Sequence, residues 1–394
     1  MRILFISDVY FPRVNGVSTS IQTFAREFVS KGHEVILLAP QYPADYEDEF
    51  EIIRIPSRYL PLDPEDRLMK LGEVKKLTDQ LAERKFDLIH IHTPFVAHYS
   101  GLKLARRLGV PVVESYHTFF EEYLDKYLPL ISRSALRFVA RRFSSSQCNS
   151  VDALIVPSHP MLDVLRGYGV SNRAEVIPTG IEMKQFHHGD GTAFRRNYGI
   201  AESRPVTVHV GRIAFEKNID FLIRVLEQVR IQVPEVLLLI AGEGPARESL
   251  ERMVKAKGLQ DNVMFVGYLG RDGELQDCYA AGDTFVFASR TETQGLVLLE
   301  AMALGVPVVS TAVMGTKEVL AGGKGSLIAE ENVDDFTAKT VMMLTDHELR
   351  ERLSVEAREY AQTWTAPVLA NRMLDFYGAV LGKEVLTMKG VVGI

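Results

Sequence analysis

The chain has 394 residues, 46% of them hydrophobic and 24% charged, with a formal net charge of -6. That length is too great for one ordinary core and suits two domains with a cleft between them, while the acidic balance argues against a general nucleic-acid binder. No apolar run approaches a membrane span, and Cys148 and Cys278 lack metal-like spacing, so the expected protein is cytoplasmic, with buried thiols, no metal and no cofactor.

The opening segment alternates strands and helices. Arg2 to Ser7 reads as a buried strand, about Ser18 to Lys31 as an amphipathic helix, and Glu34 to Ala39 as the next strand after the Gly32-His33 turn. Between the first strand and this helix, Pro12-Arg-Val-Asn-Gly16 has no G-x-G-x-x-G spacing, which disfavours a dinucleotide oxidoreductase. Further strands are expected at Glu51 to Ile55, Asp87 to Ile91, Val110 to Val113 and Ala153 to Val156, each apolar enough for a parallel sheet covered on both faces. Glu175-Val-Ile-Pro-Thr-Gly180 and the polar His187-His-Gly-Asp-Gly191 then read as an interdomain linker.

The pattern restarts with strands at Val206 to Val210, Val236 to Ile240, Val263 to Val266, Asp283 to Phe287 and Val306 to Val309, and with helices at Ile219 to about Arg230 and Ala246 to Lys257. The expected fold is α/β: two Rossmann-like, doubly wound domains, residues 1–180 and 181–365, facing a central cleft. A helical tail over residues 366–394 is expected to pack back toward the first domain. In such sheets function sits just past the carboxyl ends of the strands.

The most informative segment there is Ser289-Arg-Thr-Glu292-Thr-Gln-Gly295-Leu-Val-Leu-Leu-Glu300-Ala-Met-Ala-Leu-Gly-Val-Pro307. Gly295 opens a helix, so the free amides of Leu296 and Val297 form an anion site. Glu292 and Glu300 can bracket a diphosphate with one hydroxyl-bearing group on each side, the layout of a nucleotide sugar. Taken singly, each acid also fits an ordinary helix start. Gly211-Arg212-Ile-Ala-Phe-Glu216-Lys217 places two cations at the same sheet edge, where they can neutralise a departing diphosphate or form a surface charge cluster. His117 follows the strand ending at Val113; a lone histidine there is commonly a structural hydrogen-bonder. His90 and His92 alternate on one strand, and core roles are expected for them because no acid or cysteine cluster joins them.

The Glu292 to Pro307 segment resembles the retaining GT-B glycosyltransferases, whose signature is two Glu separated by seven residues before a small, apolar helix and a Gly-x-Pro turn. The resemblance covers nearly the whole chain. It implies that the first domain is the acceptor side and the second binds a nucleotide sugar. It puts Glu292 on the donor hexose, Glu300 on the ribose, Arg212 and Lys217 on the phosphates, and Val266 and Gly267 beside the base. Gly16 would lie in a loop approaching donor and acceptor, and His117 would line the sugar end of the cleft. The implied catalytic set is Glu292, His117, Arg212 and Lys217.

From Lys126 to Ser150 there are five basic residues, Lys126, Arg133, Arg137, Arg141 and Arg142, and no acidic ones. Interleaved with Ile131, Ala135, Phe138 and Val139, they suggest a basic amphipathic helix, which either docks on an anionic membrane or is a core helix with a solvated basic face. Phe119, Phe120, Tyr123 and Tyr127 just before it favour an interface. The run Tyr116-His-Thr-Phe-Phe-Glu-Glu-Tyr123, with Thr291-Glu-Thr-Gln-Gly295, also resembles bacterial diacylglycerol glycosyltransferases. The expected activity is retaining, metal-independent transfer of a hexose from UDP-hexose to a membrane lipid such as diacylglycerol, at the inner face of the cell membrane. Transfer to a soluble sugar or phosphosugar, and a noncatalytic nucleotide-sugar-binding module, are the alternatives.

Overall fold

The computed structural model describes residues 1–60, 63–117 and 133–382. The first half contains β1 (Arg2–Ile6), α1 (Gly16–Ser30), β2 (Glu34–Pro40), β3 (Glu51–Ile55), and a small antiparallel pair, β4 (Ser57–Leu60) and β5 (Asp63–Met69). It continues through α2 (Leu71–Glu83), β6 (Leu88–Ile91), α3 (Val96–Leu108), β7 (Val112–Ser115), α4 (Arg133–Cys148), β8 (Ala153–Val156), α5 (His159–Gly167) and β9 (Arg173–Val176). Seven parallel strands assemble in the order β3-β2-β1-β6-β7-β8-β9. Ile3, Leu4, Phe5 and Ile6 are fully buried, because helices cover both faces of the sheet and every side chain of a central strand meets one of them.

The second half repeats this plan. It runs α6 (Gly191–Asn197), β10 (Val206–Val210), α7 (Ile219–Gln232), β11 (Leu237–Ala241), α8 (Arg247–Ala256), β12 (Val263–Gly267), α9 (Glu274–Ala280) and β13 (Thr284–Phe287). Then follow α10 (Leu296–Ala303), β14 (Val308–Thr311), α11 (Gly315–Leu320), β15 (Ser326–Ala329), α12 (Val333–Thr345), α13 (His347–Ala361) and α14 (Ala366–Val380). Six parallel strands take the order β12-β11-β10-β13-β14-β15. Strand order reverses between β1 and β6 in the first sheet and between β10 and β13 in the second. Crevices open at such reversals, beyond the carboxyl ends of the strands.

The α/β fold with two Rossmann-like sheets is the one expected. The pair β4 and β5 was not anticipated, and Glu175 and Val176 belong to β9 of the first sheet, so the connection between sheets begins at Ile177. The chain crosses between the sheets twice, side by side: the Ile181 amide donates to Trp364 O at 2.8 Å and the Ala366 amide to Ile181 O at 3.0 Å. After the second crossing, α14 returns to the first sheet, where Leu369, Ala370, Met373, Phe376 and Tyr377 join a core cluster with Phe5, Phe24 and Phe28. There the Tyr377 hydroxyl lies 2.5 Å from His90 Nδ1, and His90 Nε2 lies 2.8 Å from Ser115 Oγ. His90 is a core residue.

Gly180 is required by this double crossing. A Cβ there would stand 2.5 Å from the Ala366 Cα, so the two strands of chain could not pass. Gly180→Ala is expected to lower stability by about 1 to 3 kcal/mol, the usual cost of overpacking. Denaturant unfolding would check this, and an unchanged midpoint would show that the crossing yields without cost.

Candidate active site

At the reversal in the second sheet, the loop after β10 carries Arg212 and Lys217. Its path is fixed by close backbone contact with the loop after β11. A Cβ on Gly242 would lie 2.0 Å from Gly211 O, and one on Gly244 would lie 2.4 Å from Ile213 O. Hydrogen bonds from Ile213 N to Glu243 O, 2.9 Å, and from Ala246 N to Ile213 O, 3.0 Å, close the stack. Lys217 ends a short 3-10 turn, Phe215–Lys217, and Asn218 then takes a left-handed φ of 57° before α7 begins. This turn aims the Lys217 ammonium at Glu292, with which it forms an ion pair; the two side chains are only 16% and 18% exposed.

The loop after β13 is held just as firmly. Gly315 N donates to Glu292 O at 2.9 Å, and a Cβ on Gly315 would lie 2.2 Å from Thr293 O. Gly295, at φ 92°, opens α10 in a conformation that favours glycine. The amides of Leu296 and Val297 are the first two of the helix and have no carbonyl one turn earlier to bond, so they are available to an anion. Further along α10, Glu300 is only 2% exposed. Its Oε1 accepts from Arg271 Nη2 at 2.6 Å and its Oε2 from the Tyr279 hydroxyl at 2.8 Å. Burial works against the Arg271 charge, yet the adjoining Glu300 raises its pKa on balance. Burial pushes the Tyr279 phenol well above its ordinary value, and Glu300 adds to this.

Arg271 and Tyr279 escaped sequence reading. They come from the loop after β12 and from α9, outside any motif. The one available signal was that an acid on an otherwise apolar helix such as α10 needs a partner when buried. Val266 and Gly267 end β12, both half-buried, with Gly242 N donating to Gly267 O at 2.7 Å. They therefore adjoin the loop that supports Arg212.

Across the seam, Gly16 is the exposed first residue of α1, capped by Asn15 Oδ1 accepting from Ser18 N at 2.8 Å. A Cβ on Gly16 would meet nothing within 4 Å, so the space above it is open. Burial raises the Tyr268 phenol, opposed by the charges of Arg271 and Arg13. The loop after β13 itself touches the first half of the chain. Ser158 Oγ donates to Thr293 O at 2.7 Å, and the Gln294 amide both accepts from Thr179 N and donates to Thr179 O, each at 2.7 Å. Thr293 Oγ1 also reaches His117 O at 3.4 Å, bringing His117 to the same seam as Glu292. The His117 ring stacks on His92 with centroids 5.9 Å apart. Its Nε2 is buried without a hydrogen-bond partner among the described residues, as are both ring nitrogens of His92. Burial pushes the His117 imidazole down to about 4. Among the described residues, no group of three His, Cys, Asp or Glu is arranged to hold a metal ion.

The expected basic helix is present as α4, Arg133–Cys148. Leu136, Ala140, Ser144, Gln147 and Cys148 are buried, whereas Phe138 and Val139, read with Ile131 and Ala135 as the apolar residues of this helix, are 66% and 58% exposed. Arg137, Arg141 and Arg142 are exposed beside them, and the Arg141 guanidinium lies 5.4 Å from the Tyr168 ring centroid. Lys126, Phe119, Phe120, Tyr123, Tyr127 and the Arg133 side chain lie outside the described residues. No helix among those described is long and apolar enough to cross a membrane.

Residues 14–185 match the model for Glycosyltransferase Family 4, and residues 190–360 match that for Glycosyl transferases group 1. An alpha-monoglucosyldiacylglycerol synthase of Streptococcus pneumoniae is 34% identical over 319 residues, 79% of this chain and 71% of that protein. The chain belongs to the group 1 glycosyltransferases. A second member, a GDP-mannose-dependent alpha-mannosyltransferase of Corynebacterium glutamicum, is 27% identical over 97% of this chain and 89% of its own. An Anabaena structure, HepE in complex with UDP and glucose, superposes with a TM-score of 0.78 at 18% identity, covering 96% of this chain and 100% of that one. The glycosyltransferase therefore has the GT-B fold, and its substrate is a nucleotide sugar.

Unfolding would release His117 to water, where it titrates near 6.5. Only the unfolded chain takes up that proton as pH falls from 6.5 toward 4, so the buried imidazole contributes stability that is present above 6.5 and lost through this window. Denaturant midpoints measured at about pH 7 and about pH 5 are expected to lie closer together for His117→Gln than for the parent. Equal spacing would mean that His117 titrates alike in the folded and unfolded chains, so that burial does not depress it.

Proposed function

We propose that the enzyme transfers a hexose from UDP-hexose to a membrane lipid such as diacylglycerol, with retention of anomeric configuration. The observation that carries this reading is the pair of enclosed carboxylates, Glu292 with Lys217 and Glu300 with Arg271, set in sequence on either side of the free amides that open α10. The diphosphate lies against Arg212, Lys217 and the amides of Leu296 and Val297. Glu300 accepts from the ribose hydroxyls and Glu292 from those of the hexose. Val266 and Gly267 flank the base, and Gly16 leaves room where the first domain meets the donor. His117, neutral at pH 7, offers Nε2 to the sugar.

In the chemical step the bond from the hexose C1 to the diphosphate oxygen breaks and a bond from the acceptor oxygen forms on the same face. The acceptor proton passes to the departing phosphate oxygen, so no enzymic nucleophile is needed. Negative charge grows on the diphosphate as C1 departs, and fixed cations aimed there stabilise that state more than the ground state. Arg212 and Lys217 supply this charge in place of a divalent ion.

The lipid acceptor is supported by the name of the Streptococcus pneumoniae relative and by α4. An exposed Phe138 and Val139 flanked by Arg137, Arg141 and Arg142 suits an anionic bilayer surface better than it suits water. UDP is supported by the ligands of the Anabaena structure, whereas the Corynebacterium glutamicum relative favours GDP-mannose and makes that donor the one to compare.

The deciding assay offers UDP-glucose or GDP-mannose together with diacylglycerol in phosphatidylglycerol vesicles, or with soluble sugars and phosphosugars. An α-linked glucolipid from UDP-glucose, formed in the presence of EDTA, is the expected product. Transfer only to soluble acceptors would overturn the lipid reading, and a β-linked product would overturn retention. Arg212→Ala is expected to lower turnover by about a hundredfold or more with the fold intact, as loss of one transition-state charge contact does. Turnover near that of the parent would place the diphosphate elsewhere.

A further inference from the structure

Glu300 has both carboxylate oxygens engaged before any donor arrives, one by Arg271 and one by Tyr279. Tyr279 is fully buried, its ring 5.6 Å from that of Phe285 and 6.5 Å from that of Phe186. Arg271 lies over the Phe186 ring at 5.6 Å. The two donors thus come from separate elements and are held by a common aromatic cluster. The terminal torsion of a glutamate is soft and would otherwise let the carboxylate turn. Pinning each oxygen from a different direction fixes its plane. Every carboxylate oxygen can accept twice, so one acceptor position on each oxygen remains.

We propose that Arg271 and Tyr279 are positioning residues that hold the Glu300 carboxylate for bidentate acceptance from the vicinal 2′ and 3′ hydroxyls of the donor ribose, making the site selective for ribonucleotides over deoxyribonucleotides. This rests on the reading of Glu300 as the ribose acceptor. A carboxylate pinned at both oxygens presents two acceptors at a set spacing, which matches a cis-diol and is left half-used by a single hydroxyl. A ligand lacking one hydroxyl then forfeits a hydrogen bond to a charged group whose orientation cannot adapt.

The test is calorimetric binding of UDP and 2′-deoxy-UDP, with GDP and 2′-deoxy-GDP as a second pair, to the parent, Tyr279→Phe, Arg271→Lys and Glu300→Ala. The parent is expected to prefer the ribonucleotide of the tighter pair by roughly tenfold, and Glu300→Ala to erase that preference. Tyr279→Phe keeps the ring in its cluster, and it is expected to cut the preference about fivefold through weaker binding of the ribonucleotide alone. Arg271→Lys keeps the cation but loses the planar fork, and should reduce the preference in the same direction. A merely structural role would weaken both nucleotides equally and leave the ratio unchanged. If Glu300→Ala erases the preference while Tyr279→Phe and Arg271→Lys retain it in full, the positioning role is overturned and the ribose reading stands. If the parent shows no preference, or Glu300→Ala keeps it, the ribose reading falls and the positioning role with it.

Discussion

A carboxylate as enclosed as that of Glu300 is tolerated only where donors replace the water it has lost. The second sheet meets this demand twice, with Lys217 for Glu292 and with Arg271 and Tyr279 for Glu300. None of these partners lies in the helix it serves. Each pair therefore holds only while the loops after β10, β12 and β13 keep their positions. Backbone packing does this, through Gly242 pressed on Gly211 and Gly315 pressed on Thr293. Small residues at those points serve the charges indirectly, because any side chain there would part the loops.

The same loop that carries Glu292 is the seam with the first domain. Its contacts there are hydrogen bonds, to Ser158, Thr179 and the His117 carbonyl, in place of an apolar core. Interfaces of this polar kind between domains of one chain are the ones that open and close. These are bonds that water can replace. The paired crossings at Ile181 and Ala366 keep the two sheets in register, and α14 anchors the second crossing in the core of the first sheet.

The helix α4 shows where hydrophobicity leaves a choice open. Its buried side holds Leu136, Ala140, Ser144, Gln147 and Cys148, while Phe138 and Val139 stand outside among arginines. Hydrophobicity reports a preference for leaving water, and a membrane satisfies that preference as well as a core does. Sequence alone does not say which of the two a given side chain meets.

Much was nonetheless legible. Unbroken apolar strands bounded by glycine turns and amphipathic helices determine two parallel sheets, since period and burial on both faces are local properties of the chain. Glu292, Glu300, Arg212, Lys217 and Gly295 could be singled out as candidates, because they fall in the loops after two strands or in the helix that follows, where parallel sheets expose their carboxyl ends. What only the tertiary structure decided was which groups meet: Lys217 with Glu292, Arg271 and Tyr279 with Glu300, Gln294 with Thr179, Tyr377 with His90. These partners lie 21 to 287 residues apart in the chain. Their meeting is set by strand order and loop packing, and no local pattern of residues encodes either.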